Sequence, residues 1–335
     1  MTPEAQNPDS ETNPSSVPEP PTAQQPVVGQ GSPEPVLSVV MNPAIERDSS
    51  DDDSPTVVLP MQLVQLDDVG RTDVGRQRNH NEDNFAIRTT VQRVETAQGR
   101  QVKARGLYIL CDGMGGHASG EVASANAIKF LADFFKDAWD DELPSRDIIT
   151  QSILEANQRL YDINQDNSSL GSGRMGTTLV MLLLRNTKVA IAHVGDSRIY
   201  RYTRKGGLEQ VTVDHEVGQL EIQRGVDPDV AYSRSDAFQL TQALGPRDCD
   251  YVAPDVTLLE INEDTLFLLC SDGLSDNDLL EEYCESHVKP LLSSRTNLDA
   301  GISELVELAN DYNGHDNITL IAVRAKVKPD LATLR

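Results

Sequence analysis

The sequence predicts an α+β fold built on a β-sheet core, preceded by a polar tail. Three observations predict it. Short apolar runs end at turn residues, as buried strands do. Two of these runs, 176–184 and 188–194, meet at Asn186, which reads as a hairpin turn. Apolar residues recur at helical spacing in 119–139 and again in 145–163.

The tail comes first. The chain has 335 residues and a formal charge of −24. Residues 1–60 hold 12 of the 18 prolines, with 10 acidic residues and a single basic one, Arg47. Residues 1–58 lack apolar periodicity and are expected to form a disordered tail, because they cannot bury enough surface to offset the entropy of ordering. Within it the run Asp48-Ser49-Ser50-Asp51-Asp52-Asp53-Ser54 reads as solvated, with an acidophilic-kinase site or a partner handle as the alternatives. A folded domain is expected over 59–327, with a short tail at 328–335.

Charge and composition exclude several classes. An acidic domain without a basic stripe repels nucleic acid and anionic membranes, so neither is expected as a partner. No stretch reaches the roughly 20 apolar residues that span a bilayer, and the N-terminus has no basic and apolar leader. Cys111, Cys249, Cys270 and Cys284 show no CxxC spacing and read as reduced thiols. A soluble, cytoplasmic monomer is expected.

The elements follow in order. A first strand begins near 57–66. A polar stretch, Gly70 to Asn84, precedes a strand resuming at Phe85, and 91–105 reads as a polar hairpin loop. A strand over 107–111 stops at Asp112. Helices are expected over 119–139, with the stripe Val122, Ala123, Ala127, Phe130, Leu131, Phe134 and Phe135, and after a Ser145 cap, with Ile149, Ile153, Ala156, Leu160 and Ile163. The hairpin described above leads into a strand at 199–202. A helix over 214–225 and a long irregular segment over 226–247 come next. Strands at 251–259 and 265–270, helices at 275–288 and 299–312, and a last strand at 318–323 complete the chain.

Four of these boundaries carry an aspartate: Asp112, Asp196, Asp272 and Asp316, three of them beside glycine. One such aspartate is an ordinary turn residue. Together with Glu82 and Asp83 they make six carboxylates, which would repel strongly at one sheet edge unless cations lay between them. Two divalent ions about 3.5–4 Å apart can share a hydroxide and clamp both ends of an in-line displacement. Oxygen ligands suit hard ions, Mn2+ or Mg2+. Arg78, four residues before Glu82, carries a planar fork that suits a phosphate. No Ser/His/Asp or Cys/His nucleophile set and no glycine-rich phosphate loop is present.

These residues resemble a family, the metal-dependent protein phosphatases of type 2C (PPM) in their compact bacterial form. The resemblance rests on Arg78-x-x-Asn81-Glu82-Asp83-Asn84, Cys111-Asp112-Gly113-Met114-Gly115-Gly116-His117, Gly176-Thr177-Thr178, His193-Val194-Gly195-Asp196-Ser197-Arg198, Ser271-Asp272-Gly273-Leu274 and Asp316-Asn317-Ile318-Thr319, in family order over about 63–325. It implies a four-layer α-β-β-α sandwich of two antiparallel sheets flanked by helices. It implies hydrolysis of phosphoserine and phosphothreonine in proteins by a metal-bridging water, without a covalent phosphoenzyme.

Carried over by position, Asp112 bridges two ions, Glu82 and the Gly113 carbonyl serve one, and Asp272 and Asp316 the other. Asp83 orients water, Arg78 binds the phosphate, and Asp196 with Asp272 holds a third, looser ion. The segment 214–247 stands where the family has its variable flap. Met114 stands where eukaryotic members have a histidine, which leaves His117 as the candidate general acid. Two rivals compete with this reading. An inactive fold used for binding would have lost its carboxylates, and all are present. A nuclease or phosphodiesterase is disfavoured by the acidic surface.

Overall fold

The computed structural model describes residues 59–96, 99–115, 119–137, 139, 142–168 and 174–331. Residues 1–58 and His117 lie outside them, so the tail and the general-acid expectation carry no structural account.

Among the described residues twelve strands form: β1 Met61–Asp73, β2 Asn84–Thr96, β3 Gly99–Cys111, β4 Gly113–Met114, β5 Gly176–Thr177, β6 Leu179–Arg185, β7 Lys188–Val194, β8 Arg198–Thr203, β9 Gly207–Gln210, β10 Asp255–Glu260, β11 Thr265–Cys270 and β12 Ile318–Pro329. Seven α-helical segments accompany them among the described residues: α1 Ser119–Asp137, α2 Arg146–Ser168, α3 Val217–Gln223, α4 Pro228–Tyr232, α5 Asp272–Ser275, α6 Leu279–Glu282 and α7 Leu298–Tyr312. One five-stranded sheet has the order β1-β12-β11-β8-β9 and the other β10-β7-β6-β3-β2. The pairings within both are antiparallel.

The strands' continuous apolar runs have a simple cause: both faces are buried. Successive side chains point to opposite faces, so each run divides between two cores. In β3, Leu107, Ile109 and Cys111 face a core shared with α1 and α2, where Phe135, Ile149 and Ile153 lie. Tyr108 and Leu110 of the same strand meet Phe267, Leu269 and Ile321 of the other sheet. On the far side Leu266, Leu268, Leu320 and Ala322 pack on Ile302 and Leu305 of α7. Helices, sheet, sheet and helices thus stack in four layers, the expected sandwich.

Several local expectations are corrected. Residues 91–105 are not a loop. β2 and β3 pair without a break from Asn84↔Cys111 to Thr96↔Gly99, and Val91, Val94 and Val102 lie within these arms. The helix expected over 275–288 is broken, because Asn277 and Asp278 adopt φ of 60° and 53° and end α5 before α6 begins. The helix expected from 214 begins at Val217, and the irregular segment after it holds the short α4. The strand expected from 251 begins at Asp255, after a 3-10 turn over Cys249–Tyr251. The Ser145 cap stands, its Oγ accepting from Ile148 N at 3.4 Å.

Candidate metal centre

The strand ends decide where the acids go. Asn84 of β2 pairs with Cys111 of β3, so Glu82-Asp83 and Asp112 leave the same end of one sheet. Cys270 of β11 pairs with both Arg198 and Leu320, so Asp272, Asp196 and Asp316 leave one end of the other. Hydrogen bonds then join the two ends. Ser271 Oγ donates to Asp83 Oδ2 at 2.8 Å and accepts from Thr319 N at 3.0 Å. Glu82 N donates to Asn317 Oδ1 at 2.8 Å. The Asn317 amide also donates to Val74 O and His80 O, each at 2.9 Å.

Asp112 is anchored through its backbone. Its N–H donates to Thr178 Oγ1 at 3.0 Å, and its carbonyl accepts from Thr178 N and Thr177 Oγ1, both at 2.8 Å. This leaves its carboxylate for the centre. Burial, then Asp83, Asp272, Asp196 and Asp316 in that order, hold the Asp112 carboxyl far above its ordinary range. Asp272 is raised likewise by burial and by its acidic neighbours. Asp83 and Asp196 are each pushed up to about 6, burial first. Two oxygens, Asp83 Oδ1 and Asp272 Oδ1, are buried without a hydrogen-bond partner among the described residues. Buried orphans of this kind cost roughly 1–3 kcal/mol each.

Arg78 reaches the rim through a loop-on-loop contact. Gly75 has φ +78°, and a Cβ there would run into the carbonyl of Asp316. That close approach lets Arg76 N and Gln77 N donate to Gly314 O at 2.8 and 3.1 Å. Arg78 Nη2 then pairs with Asp316 Oδ2. On the opposite side, a Cβ on Gly120, the second residue of α1, would lie 2.7 Å from both Glu82 Oε1 and Gly113 O. Its bare backbone keeps those two oxygens in one small neighbourhood. Sequence reading missed Gly120 as part of the site, as it missed Asn317 and Ser271. A glycine opening a helix and polar residues beside catalytic-looking acids were the available signals.

The donor set is oxygen throughout, acidic, half-buried to buried and incompletely hydrogen-bonded. That fits a hard divalent cation. Asp83, Asp112, Asp196, Asp272 and Asp316 act on one another, with Arg78 on the rim and the Gly113 carbonyl beside Glu82.

Fold and site together define a hydrolase of the two-sheet sandwich type with an acid-lined centre at the sheet ends. The chain belongs to the protein phosphatase 2C family, whose pattern matches residues 67–318, and by that membership it is a protein phosphatase. It is 32% identical over 257 residues to the serine/threonine phosphatase stp of Listeria welshimeri, covering 76% of this chain and 93% of that one. The S. agalactiae serine/threonine phosphatase superposes with a TM-score of 0.61 at 29% identity, over 77% of this chain and 99% of that chain. The catalytic domain of the phosphatase PstP, solved in complex with two manganese ions, superposes with a TM-score of 0.57 at 28% identity, over 80% of this chain and all of that one (100%). Among the described residues no helix is long and apolar enough to cross a membrane.

Proposed function

We propose that this protein hydrolyses phosphoserine and phosphothreonine in proteins with the help of divalent cations, Mn2+ or Mg2+, without a covalent phosphoenzyme. The observation that carries the reading is the convergence of half-buried to buried carboxylates from the ends of both sheets, two of them with a buried oxygen that has no partner among the described residues. Asp112, Glu82, the Gly113 carbonyl, Asp272 and Asp316 would hold two ions, and Asp196 with Asp272 a third, looser one. Bound there, the ions would lower the pKa of a shared water toward neutrality and offset the charge of the phosphoryl oxygens.

The chain's own groups do the rest. Arg78, exposed and tethered through Asp316, offers its remaining N–H donors to a phosphate. Ser271 fixes Asp83 Oδ2, so that Oδ1 is left to accept a hydrogen bond or proton from the attacking water. Three candidate nucleophiles among the described residues are occupied or inert. Burial pushes the Cys270 thiol up to about 12 and Cys111 higher still. Ser197 Oγ is bound to Thr178 Oγ1 at 2.7 Å. Phosphorylated proteins are the partners on this reading, and a monomeric, cytoplasmic signalling role accompanies it. Residues 1–58 stand apart from catalysis.

The test uses the full chain. Phosphate release from a phosphothreonine peptide and from p-nitrophenyl phosphate should require Mn2+ and vanish with EDTA or in Asp272→Ala. Calorimetry should show that variant losing Mn2+ affinity. Turnover of DNA or cyclic nucleotides but not of phosphopeptides would overturn the reading, as would metal binding without any turnover.

A further inference from the structure

Beside the acidic centre lies a cleft of about 660 Å³. Asp196 and Asp272 form the part that merges with the centre. The remainder is lined by two features that the hydrolytic chemistry does not use. One is aromatic. Tyr232 and Phe238 have ring centroids 5.3 Å apart, tilted at 44°. Phe238 is 71% exposed, more than any other large apolar side chain among the described residues. The other is the turn Asp276-Asn277-Asp278, which lies between α5 and α6.

That turn is held in an unfavourable shape. Asn277 and Asp278 both have positive φ, a region that L residues avoid. Asn313 keeps it there: Asn277 Nδ2 donates to Asn313 Oδ1 at 2.8 Å, and Asn313 Nδ2 donates to Asp276 O at 2.7 Å. The result presents Asp278 exposed, with no hydrogen bond or ion pair among the described residues. The cleft's own basic side chains are already engaged. Arg198 binds Asp214 at 2.7 Å, Tyr200 Oη at 3.1 Å and Ser275 O at 3.0 Å. His315 Nε2 lies 3.4 Å from Asp276 Oδ2. Glu216 accepts only a neutral donor, Tyr232 Oη, at 3.1 Å.

An exposed carboxylate without a counter-ion among the described residues, Asp278, beside an exposed aromatic pair suits an organic cation. An ammonium or guanidinium gains from the ring face and buries its alkyl stem against it. A bare metal ion gains nothing from an exposed phenyl group. We propose that this cleft takes a lysine or arginine side chain that flanks the phosphorylated residue of the substrate, with Asp278 and Phe238 as its specificity determinants. The proposal rests on the protein-phosphatase reading and narrows its substrates to basic phosphoprotein segments.

Matched phosphothreonine peptides carrying Arg, Ala or Glu on either side of the phosphoresidue test it by kcat/KM. The wild-type chain should favour Arg over Glu by about tenfold, chiefly through KM, and the preference should shrink as salt rises. Phe238→Ala should cut the preference by about threefold. Asp278→Lys should invert it, favouring the Glu peptide, a gain that misfolding cannot mimic. Equal turnover of the three peptides, a wild-type preference for Glu, or an unaltered preference in Asp278→Lys would each overturn the proposal while leaving the phosphatase reading intact. Failure to turn over any phosphopeptide would instead overturn the phosphatase reading, and this proposal with it.

Discussion

Two clusters of titratable side chains lie close together in this fold and have opposite characters. One is the acidic centre. The other is His193, His215 and Asp255, whose potential ligand atoms all lie within 4.8 Å of one another. By residue type the histidine cluster is the better candidate for a metal, with two imidazoles and a carboxylate. Its hydrogen bonds say otherwise. His193 Nε2 must carry a proton, since it donates to Val213 O at 2.8 Å. His215 Nδ1 accepts from Gly195 N at 3.1 Å, so its Nε2 carries the proton and donates to Asp255 Oδ2 at 3.1 Å. The rings stack with centroids 4.7 Å apart. Every one of these contacts is met from within the protein. The acidic centre instead keeps two buried oxygens that no group among the described residues satisfies. The difference teaches that ligand-type residues at close quarters do not by themselves make a ligand site when their hydrogen bonds are already met within the protein.

The largest expected effect comes from crowding the centre without touching a carboxylate. Gly120→Ala places a methyl against Glu82 Oε1 and the Gly113 backbone, and the latter cannot swing away. Phosphopeptide turnover should fall by more than about tenfold and Mn2+ affinity should weaken with it, while circular dichroism stays native. Wild-type Mn2+ affinity in this variant would break the claim that Gly120 shapes the centre.

A middle-sized effect is thermal. Asp83 and Asp196 sit near 6 in the folded chain, raised above the unfolded carboxylate value. The native state therefore holds extra protons between about pH 4 and 6, and stability falls as pH rises through that window. EDTA-treated protein should lose Tm between pH 4.5 and about 7, and saturating Mn2+ should remove the loss. A Tm independent of pH in EDTA would show that the carboxylates do not oppose one another.

The smallest effect belongs to the histidine cluster. Gln at position 193 can return a donor toward Val213 O, so His193→Gln should cost about 1 kcal/mol in denaturant unfolding. Its Mn2+ stoichiometry, read by calorimetry, should equal wild type. Loss of an equivalent of metal would erase the contrast between the clusters.

Much of this was legible in the residues, and the exceptions have a common cause. Strand runs such as 107–111 and 265–270 announce themselves because both faces are buried. The acids at their ends are legible because a turn residue must follow a strand. What sequence could not show is where one segment meets another. Asn317 resembles an ordinary polar neighbour of Asp316 until its amide is seen to tie Glu82, Val74 and His80 together. The broken helix after Asp272 was hidden for a similar reason. Asn313, far along the chain, holds Asn277 and Asp278 out of helical geometry. In the β2–β3 hairpin the error was local, since polar residues on exposed strand arms read as loop.

Sheet order also bears on how the fold assembles. β12 lies between β1 and β11, and among the described residues it is the one strand that β1 pairs with in its sheet. Met61 of β1 thereby meets Pro329 of β12, a pairing between segments far apart in sequence, of the kind that slows folding because a long loop must close first. Asp316 lies two residues before β12. The acidic centre is therefore assembled by one of the least local contacts in the molecule, and loosening the β1–β12 seam is expected to loosen the centre with it.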